Sequence, residues 1–185
     1  MALKATIYKA NMQISDMDRG YYEKFTLTIA RHPSETCERL MTRLLAYALN
    51  ASENLHFTRG LCADDEPEIW QRDLCDEIQL WIDVGLPQEK RLRKACNRSR
   101  KVVLYTYGGR SADLWWEKNG PRLTRFKNLA VVNLPETATE QMAQLAKRSM
   151  NLHCLIQDGM ILLGDPEKNV TITPQLLYGG ARSML

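Results

Sequence analysis

The sequence predicts an α/β (α+β) fold: a mixed central sheet with flanking helices, an N-terminal β-hairpin and added strands toward the C-terminus. Three observations predict it. Glu77 to Val84 alternates strictly, Ile78, Leu80, Ile82 and Val84 on one face and Glu77, Gln79, Trp81 and Asp83 on the other, which is the period of a strand. Cys37, Leu40, Met41, Leu44, Leu45 and Ala48 recur instead at helical spacing. Turn chemistry punctuates extended pieces near both ends, at Asp16, Asp18 and Gly20 and again at Asp158-Gly159.

Taken in order, Leu3 to Ser15 and Tyr22 to Arg31 read as a long hairpin, with a slip of apolar phase near Ile7 and Tyr8 that predicts a bulge or twist. Ser34 is placed to cap a helix running to about Asn50, with Arg39 and Arg43 turned away from its apolar stripe and Glu38 at the flank. His56 to Leu61 reads as a short strand, Asp64-Asp65-Glu66 as a surface connection, and Pro67-Glu68 as the start of another extended piece. After the strand ending at Val84, Gly85 stops the run and Pro87 opens a helix through about Ser99. Its buried stripe is Leu92, Ala95, Cys96 and Ser99; Lys90, Arg93 and Lys94 lie on the far side, and Arg91 and Arg98 flank it. A strand at Val102 to Tyr107, a helix at Ser111 to Lys118, a loop at Asn119-Gly120-Pro121 and a strand at Leu129 to Leu134 follow. The remainder predicts a helix from Glu136 to Arg148, a hairpin of Asn151 to Gln157 with Met160 to Leu163, and a short strand at Val170 to Thr173.

At 185 residues, 44% hydrophobic and 25% charged, the chain is expected to form one domain, 1–185, around a sizeable core. No apolar run approaches the thickness of a bilayer and no signal peptide opens the chain, so no membrane partner and a cytoplasmic location are expected. Five scattered cysteines without a CxxC pair, and three histidines far apart, argue against a disulfide framework and against a histidine- or thiolate-based metal site. The net charge of +3 is too small to announce nucleic-acid binding, which depends on a patch.

The chemistry concentrates between Gly60 and Lys101, an acidic segment, then a strand ending in Asp83, then a helix rich in lysine and arginine. Carboxylates beside a basic surface are what a metal-dependent enzyme acting on phosphodiesters needs. The basic run from Lys90 to Lys101 is equally the composition of a solvated helix face.

Helix, strand, strand, strand, helix, strand from about Ser34 to Tyr107 resembles the core order of the PD-(D/E)XK nuclease superfamily. The phrases HPSET, ERLMTRLLAYALNA, FTRGLCADDEPEIW, LWIDVGLP, RLRKA and IQDG resemble, over nearly the whole chain, the YaeQ family, whose fold is a variant of that core. The resemblance implies a nuclease-like core at 34–107, preceded by the hairpin at 3–31 and followed by an extension at 108–185. It implies that Glu68 and Asp83 hold Mg²⁺ or Mn²⁺, with Glu38 as an added helix carboxylate. It places the catalytic lysine two residues after Asp83, where this chain has Gly85; Arg91 or Lys94 on the next helix would have to supply the cation. Two function classes therefore stand open: a metal-dependent nuclease, and a non-catalytic nucleic-acid-binding or regulatory protein that keeps the fold. In both, DNA or RNA is the expected partner through Lys90 to Lys101.

Overall fold

The computed structural model describes residues 5–58 and 65–180. Its first element is the expected hairpin. Strands β1 (Thr6–Asp16) and β2 (Tyr21–Arg31) pair antiparallel from Thr6 opposite Arg31 to Asp16 opposite Tyr21, and Gly20 supplies the positive φ of the turn. The register runs unbroken past Ile7 and Tyr8, so the phase slip is no bulge: Tyr8 takes the buried side and Ile7 stays exposed.

Helix α1 (Cys37–Leu49) starts later than predicted. Thr36, not Ser34, is the cap, its hydroxyl accepting the Arg39 N–H, while Ser34 is engaged with the His32 ring. Every residue from Leu40 to Ala48 is buried, including Thr42 and Arg43, as befits a helix covered on all sides. The expectation that Arg43 turns away is thus overturned, because two sheets enclose the helix rather than one.

Strands β3 (Leu55–Phe57), β4 (Ile69–Arg72) and β5 (Ile78–Val84) form an antiparallel meander. The predicted strand at His56 to Leu61 ends at Phe57, and its residues 59–61, like Asp64 of the acidic run, lie outside the described residues. Helix α2 (Glu89–Arg98) carries the chain to β6 (Ser99–Thr106), parallel to β5, and helix α3 (Arg110–Leu123) carries it to β7 (Leu129–Asn133), parallel to β6. Gln88 stands at the N-cap position of α2 without a side-chain capping bond, which leaves Pro87 outside the helix instead of at its first position. The Asn119-Gly120-Pro121 segment is helical, not a loop. Ala112 and Leu123 anchor the two ends of α3 in the core, and Gly120 packs so closely on Trp116 that a Cβ there would come within 3.0 Å of the indole, so burial overrides the local preference of Gly-Pro.

Helix α4 (Glu136–Ala143) stops five residues short of the predicted end, and β8 (Ser149–Gln157) begins early because Ser149 and Met150 pair in parallel with Lys9 and Ala10 of β1. Strands β9 (Met160–Gly164), β10 (Asn169–Ile172) and β11 (Gln175–Tyr178) complete the described chain. The result is two mixed sheets, β10-β9-β8-β1-β2 and β11-β7-β6-β5-β4-β3.

One hydrophobic cluster joins the five-stranded sheet, α1, α4 and one face of the six-stranded sheet through residues such as Met12, Ile29, Leu44, Ile82, Tyr105, Met142 and Leu163. A second packs α2 and α3 on the opposite face through Trp81, Leu92, Ala95, Leu104, Leu123 and Val131. The Trp81 and Asp83 side of β5, read from sequence as the less apolar one, is therefore buried as well. That covering brings Asp83 against α2. Among the described residues no helix is long and apolar enough to cross a membrane, and Cys37, Cys75, Cys96 and Cys154 are free thiols.

Candidate functional site

Asp83 comes near the C-terminal end of β5 and is 2% exposed. A buried carboxylate must be paired or neutral, and Asp83 is paired. Arg91, one turn into α2, returns a bidentate fork in which Nε donates to Oδ2 and Nη2 to Oδ1, both at 2.8 Å, and Nη2 also donates to the Glu66 carbonyl. Burial works against the Arg91 charge, but the hydrogen bonds and charge of Asp83 outweigh it and hold the guanidinium above its ordinary value. Arg91 at the edge of its helix thus reaches the strand acid, as the helical wheel predicts. Lys94 does not: its amine pairs with Asp65 on the surface.

Glu68 is 3% exposed and held from the α1 side. Its Oε1 accepts from Arg39 Nη2 at 2.5 Å, and its Oε2 lies 3.0 Å from Arg43 Nε, a charge contact without hydrogen-bond alignment. Arg43, itself 2% exposed, donates to both oxygens of Glu35 at 3.0 and 3.1 Å, and Arg39 also reaches Glu35. Burial opposes the Arg39 charge while the Glu68 hydrogen bond and charge raise its pKa above the usual value. The two ion-pair groups sense each other, since Glu68 supports the charge on Arg91 and Arg39 opposes it. Tyr107, partly buried beside them, has its pKa raised by burial first, with Arg39 pulling it down and Glu38 and Glu35 pushing it up.

Glu38 is partly exposed and turned to α4, where Oε1 accepts the Thr139 hydroxyl at 2.6 Å. The three acids expected to share a metal are therefore each engaged elsewhere. Asp83 gives both oxygens to Arg91, Glu68 faces two guanidinium groups, and among the described residues no cluster of three His, Cys, Asp or Glu side chains could hold an ion. Mg²⁺ wants carboxylate oxygens with lone pairs to give. In this arrangement three arginines, Arg39, Arg43 and Arg91, balance three carboxylates, Glu35, Glu68 and Asp83, so the donor set does not suit a divalent cation. At the lysine position, Gly85 has φ +102°, with open space around where its Cβ would be. Backbone conformation, not crowding, is what disfavours a side chain there.

Glu35, Arg39 and Arg43 were absent from the predicted site. The spacing of four between Arg39 and Arg43 was the available signal, placing both on one flank of α1, with Glu35 just ahead of the cap. What it lacked was any sign that this flank is covered by a second sheet.

The second chemical feature is charge. Residues 89–127, from α2 through α3 to the start of β7, hold twelve lysines and arginines and three acids, a net +9 in a chain of net +3, so the remaining residues sum to −6. Arg122 and Arg125 of the α3 end both pair with Glu89 at the start of α2, which ties the two helices into one surface. Lys90, Arg93, Lys118 and Lys127 are exposed on these segments, and among the described residues Lys90 and Arg93 have no ion-pair partner.

Comparison with known proteins bears on the identity of this arrangement. The chain is 49% identical over 172 residues to the uncharacterized protein YaeQ of Escherichia coli (strain K12), covering 93% of this chain and 95% of that protein. The crystal structure of the YaeQ protein from Xanthomonas axonopodis pv. citri is similar with a TM-score of 0.92 and 49% identity, covering 95% of this chain and 99% of that one. That of the YaeQ protein from Pseudomonas syringae is similar with a TM-score of 0.91 and 36% identity, covering 95% and 97%. With the model of the YaeQ protein family matching residues 1–174 as well, the chain belongs to the YaeQ family.

Proposed function

We propose that this protein binds DNA or RNA through its phosphate backbone, on the surface shared by α2 and α3, and that it does so without cleaving it. The observation that carries this reading is the concentration of charge on the two helices, eight lysines and arginines on α2 and α3 against three acids. A surface of that kind gains free energy by releasing counterions from a polyanion, and it needs no sequence readout to do so. The element order α1, β3, β4, β5, α2, β6 supports a nuclease-like core, and the closed ion pairs of Asp83 and Glu68 support the loss of cleavage within it. The test is fluorescence anisotropy with single- and double-stranded DNA and RNA from about 50 to about 200 mM salt. Affinity falls steeply with salt, and Lys90→Glu/Arg93→Glu lowers the slope of log K against log salt by about 2. A flat salt response, or no binding at low salt, refutes it.

A second reading is metal-dependent hydrolysis of a phosphodiester, with Glu68, Asp83 and Glu38 as ligands of Mg²⁺ or Mn²⁺ and Arg91 or Lys94 as the cation in place of the missing lysine. One observation favours it: the Glu68 N–H donates to the Ile82 carbonyl, so the two acids occupy adjacent positions on neighbouring chain segments. It requires Arg39 and Arg91 to yield their carboxylates. Cleavage that depends on Mn²⁺ and disappears in Asp83→Ala would establish this reading over the first. No cleavage by the wild type, on any of the four substrates, would discard it.

A further inference from the structure

At the other end of β5, on the face toward the first hydrophobic cluster, a cavity of about 260 Å³ opens beside the α1 C-terminus. It is separate from the Asp83 site. Lys101 sits opposite Leu80 in the β5–β6 register, three residues before the Asp83 position and on the other side of the sheet, a displacement of about 10 Å along the strand.

Two cations line it. Arg19, in the turn between β1 and β2, donates Nε to Asp16 Oδ2 at 2.6 Å and Nη1 to the Ala51 carbonyl at 3.3 Å, but its Nη2 is buried with no hydrogen-bond partner among the described residues. Lys101 on β6 has no acceptor among the described residues either; burial, and then the Arg19 charge, push its pKa down. A third donor waits at the rim, since Gln71 uses its oxygen to accept from Ser52 and has no partner for its Nε2. Capping the end of α1 accounts for one nitrogen of Arg19 and for nothing of Lys101. An unmade buried donor costs about 1–3 kcal/mol, and two cations facing each other add repulsion that Asp16, committed to Arg19, offsets only in part. An oxyanion in the cavity would accept from the Lys101 ammonium and the Gln71 Nε2 and would offset the Arg19 charge beside them. Leu49, Ala51 and Leu80 supply an apolar wall beyond them, and the space exceeds what a bare phosphate fills.

We propose that this cavity binds a small phosphate monoester, its phosphate between Arg19 and Lys101 and its organic part against Leu49, Ala51 and Leu80. The site does not depend on the nucleic-acid reading, because it draws on neither α2 nor α3. Titration calorimetry on the full chain, with inorganic phosphate and with AMP as probes, tests it. Both bind saturably, and AMP binds at least severalfold more tightly. Lys101→Gln weakens both by tenfold or more, the loss of one charge-assisted hydrogen bond. The Lys101 amine makes no contact that holds the fold and is repelled by Arg19, so the variant melts no lower than the wild type. In wild-type protein AMP also shields Lys101 from acetylation, read by mass spectrometry. Absence of saturable binding up to about 10 mM of either probe, unchanged affinity in Lys101→Gln, or acetylation of Lys101 indifferent to AMP overturns the site. Equal affinity for phosphate and AMP overturns the placement of the organic part.

Discussion

Replacing Arg91 by methionine separates a structural ion pair from a masked metal site. The substitution keeps the aliphatic stem and removes both donors from Asp83, a carboxylate only 2% exposed. Stranding one partner of a buried pair costs about 3–5 kcal/mol. Because the Arg91 side chain is 27% exposed and water can follow it in, the lower end applies, about 3 kcal/mol, which includes the lost bond to the Glu66 carbonyl. For a chain of this size that is a fall in Tm of about 6–12 °C. Removing both charges in Asp83→Leu/Arg91→Met restores most of it, to within about 1 kcal/mol of wild type, since a buried pair and an apolar pair of similar volume are often nearly equivalent. Urea unfolding at neutral pH, followed by circular dichroism, measures all three proteins. An Arg91→Met variant as stable as wild type would refute the reasoning, because it would mean that Asp83 never relied on Arg91. Repeating the series with Mn²⁺ adds the functional arm. An ion at a hundred times its Kd stabilises by about 2.7 kcal/mol. Rescue of Arg91→Met by Mn²⁺, absent from the double variant, would make Asp83 a metal ligand after all.

Three further outcomes are expected. Asp165 is held down to about 2 by the Lys147 ammonium and by the N–H groups of Glu167 and Lys168. Its folded pKa lies below the unfolded value, so its contribution to stability is present above about pH 4 and lost as pH falls toward 2; Asp165→Asn flattens that part of the curve of urea midpoint against pH. Gly85→Lys, which restores the residue type of the nuclease pattern, destabilises by about 1–3 kcal/mol through its φ of +102°, and yields no metal-dependent cleavage in a plasmid-nicking assay. Buried thiols Cys96 and Cys154, pushed up by burial to about 11 and about 12, stay unmodified by a maleimide at pH 7 in the folded protein, whereas exposed Cys75 is labelled.

Most elements were legible because their signals are local. The alternation of Glu77 to Val84, the stripe of Cys37 to Ala48 and the Asp158-Gly159 turn each mark the strand, helix and turn that form there, with Gly159 at φ +73° and its strands paired from Gln157 and Met160. Errors arose where long-range pairing sets the outcome. Nothing near Ser149 says that β8 will lie parallel to β1, some 140 residues away in sequence, and that pairing is what joins the N-terminal hairpin and the C-terminal strands into a second sheet. Gly120-Pro121 is a breaker by composition, and only the burial of Leu123 and the stacking on Trp116 keep α3 going through it.

The candidate site was legible to the same depth. Glu68 and Asp83 could be picked as acids at a strand start and a strand end, though not as buried ones, and Arg91 as the basic residue placed to reach back. Arg39 and Arg43 could not, because on a helix with one covered face they point to water, and the second sheet reverses their environment without altering a single local cue. That reversal decides the chemistry. A carboxylate pair in a half-open cleft repels itself and welcomes a dication, whereas the same pair enclosed with Glu35 and with Arg39, Arg43 and Arg91 is already balanced in charge, and an added ion must first break guanidinium contacts. The exposed surplus of positive charge lies instead on α2 and α3, outside the ion pairs, where a polyanion can reach it without disturbing them.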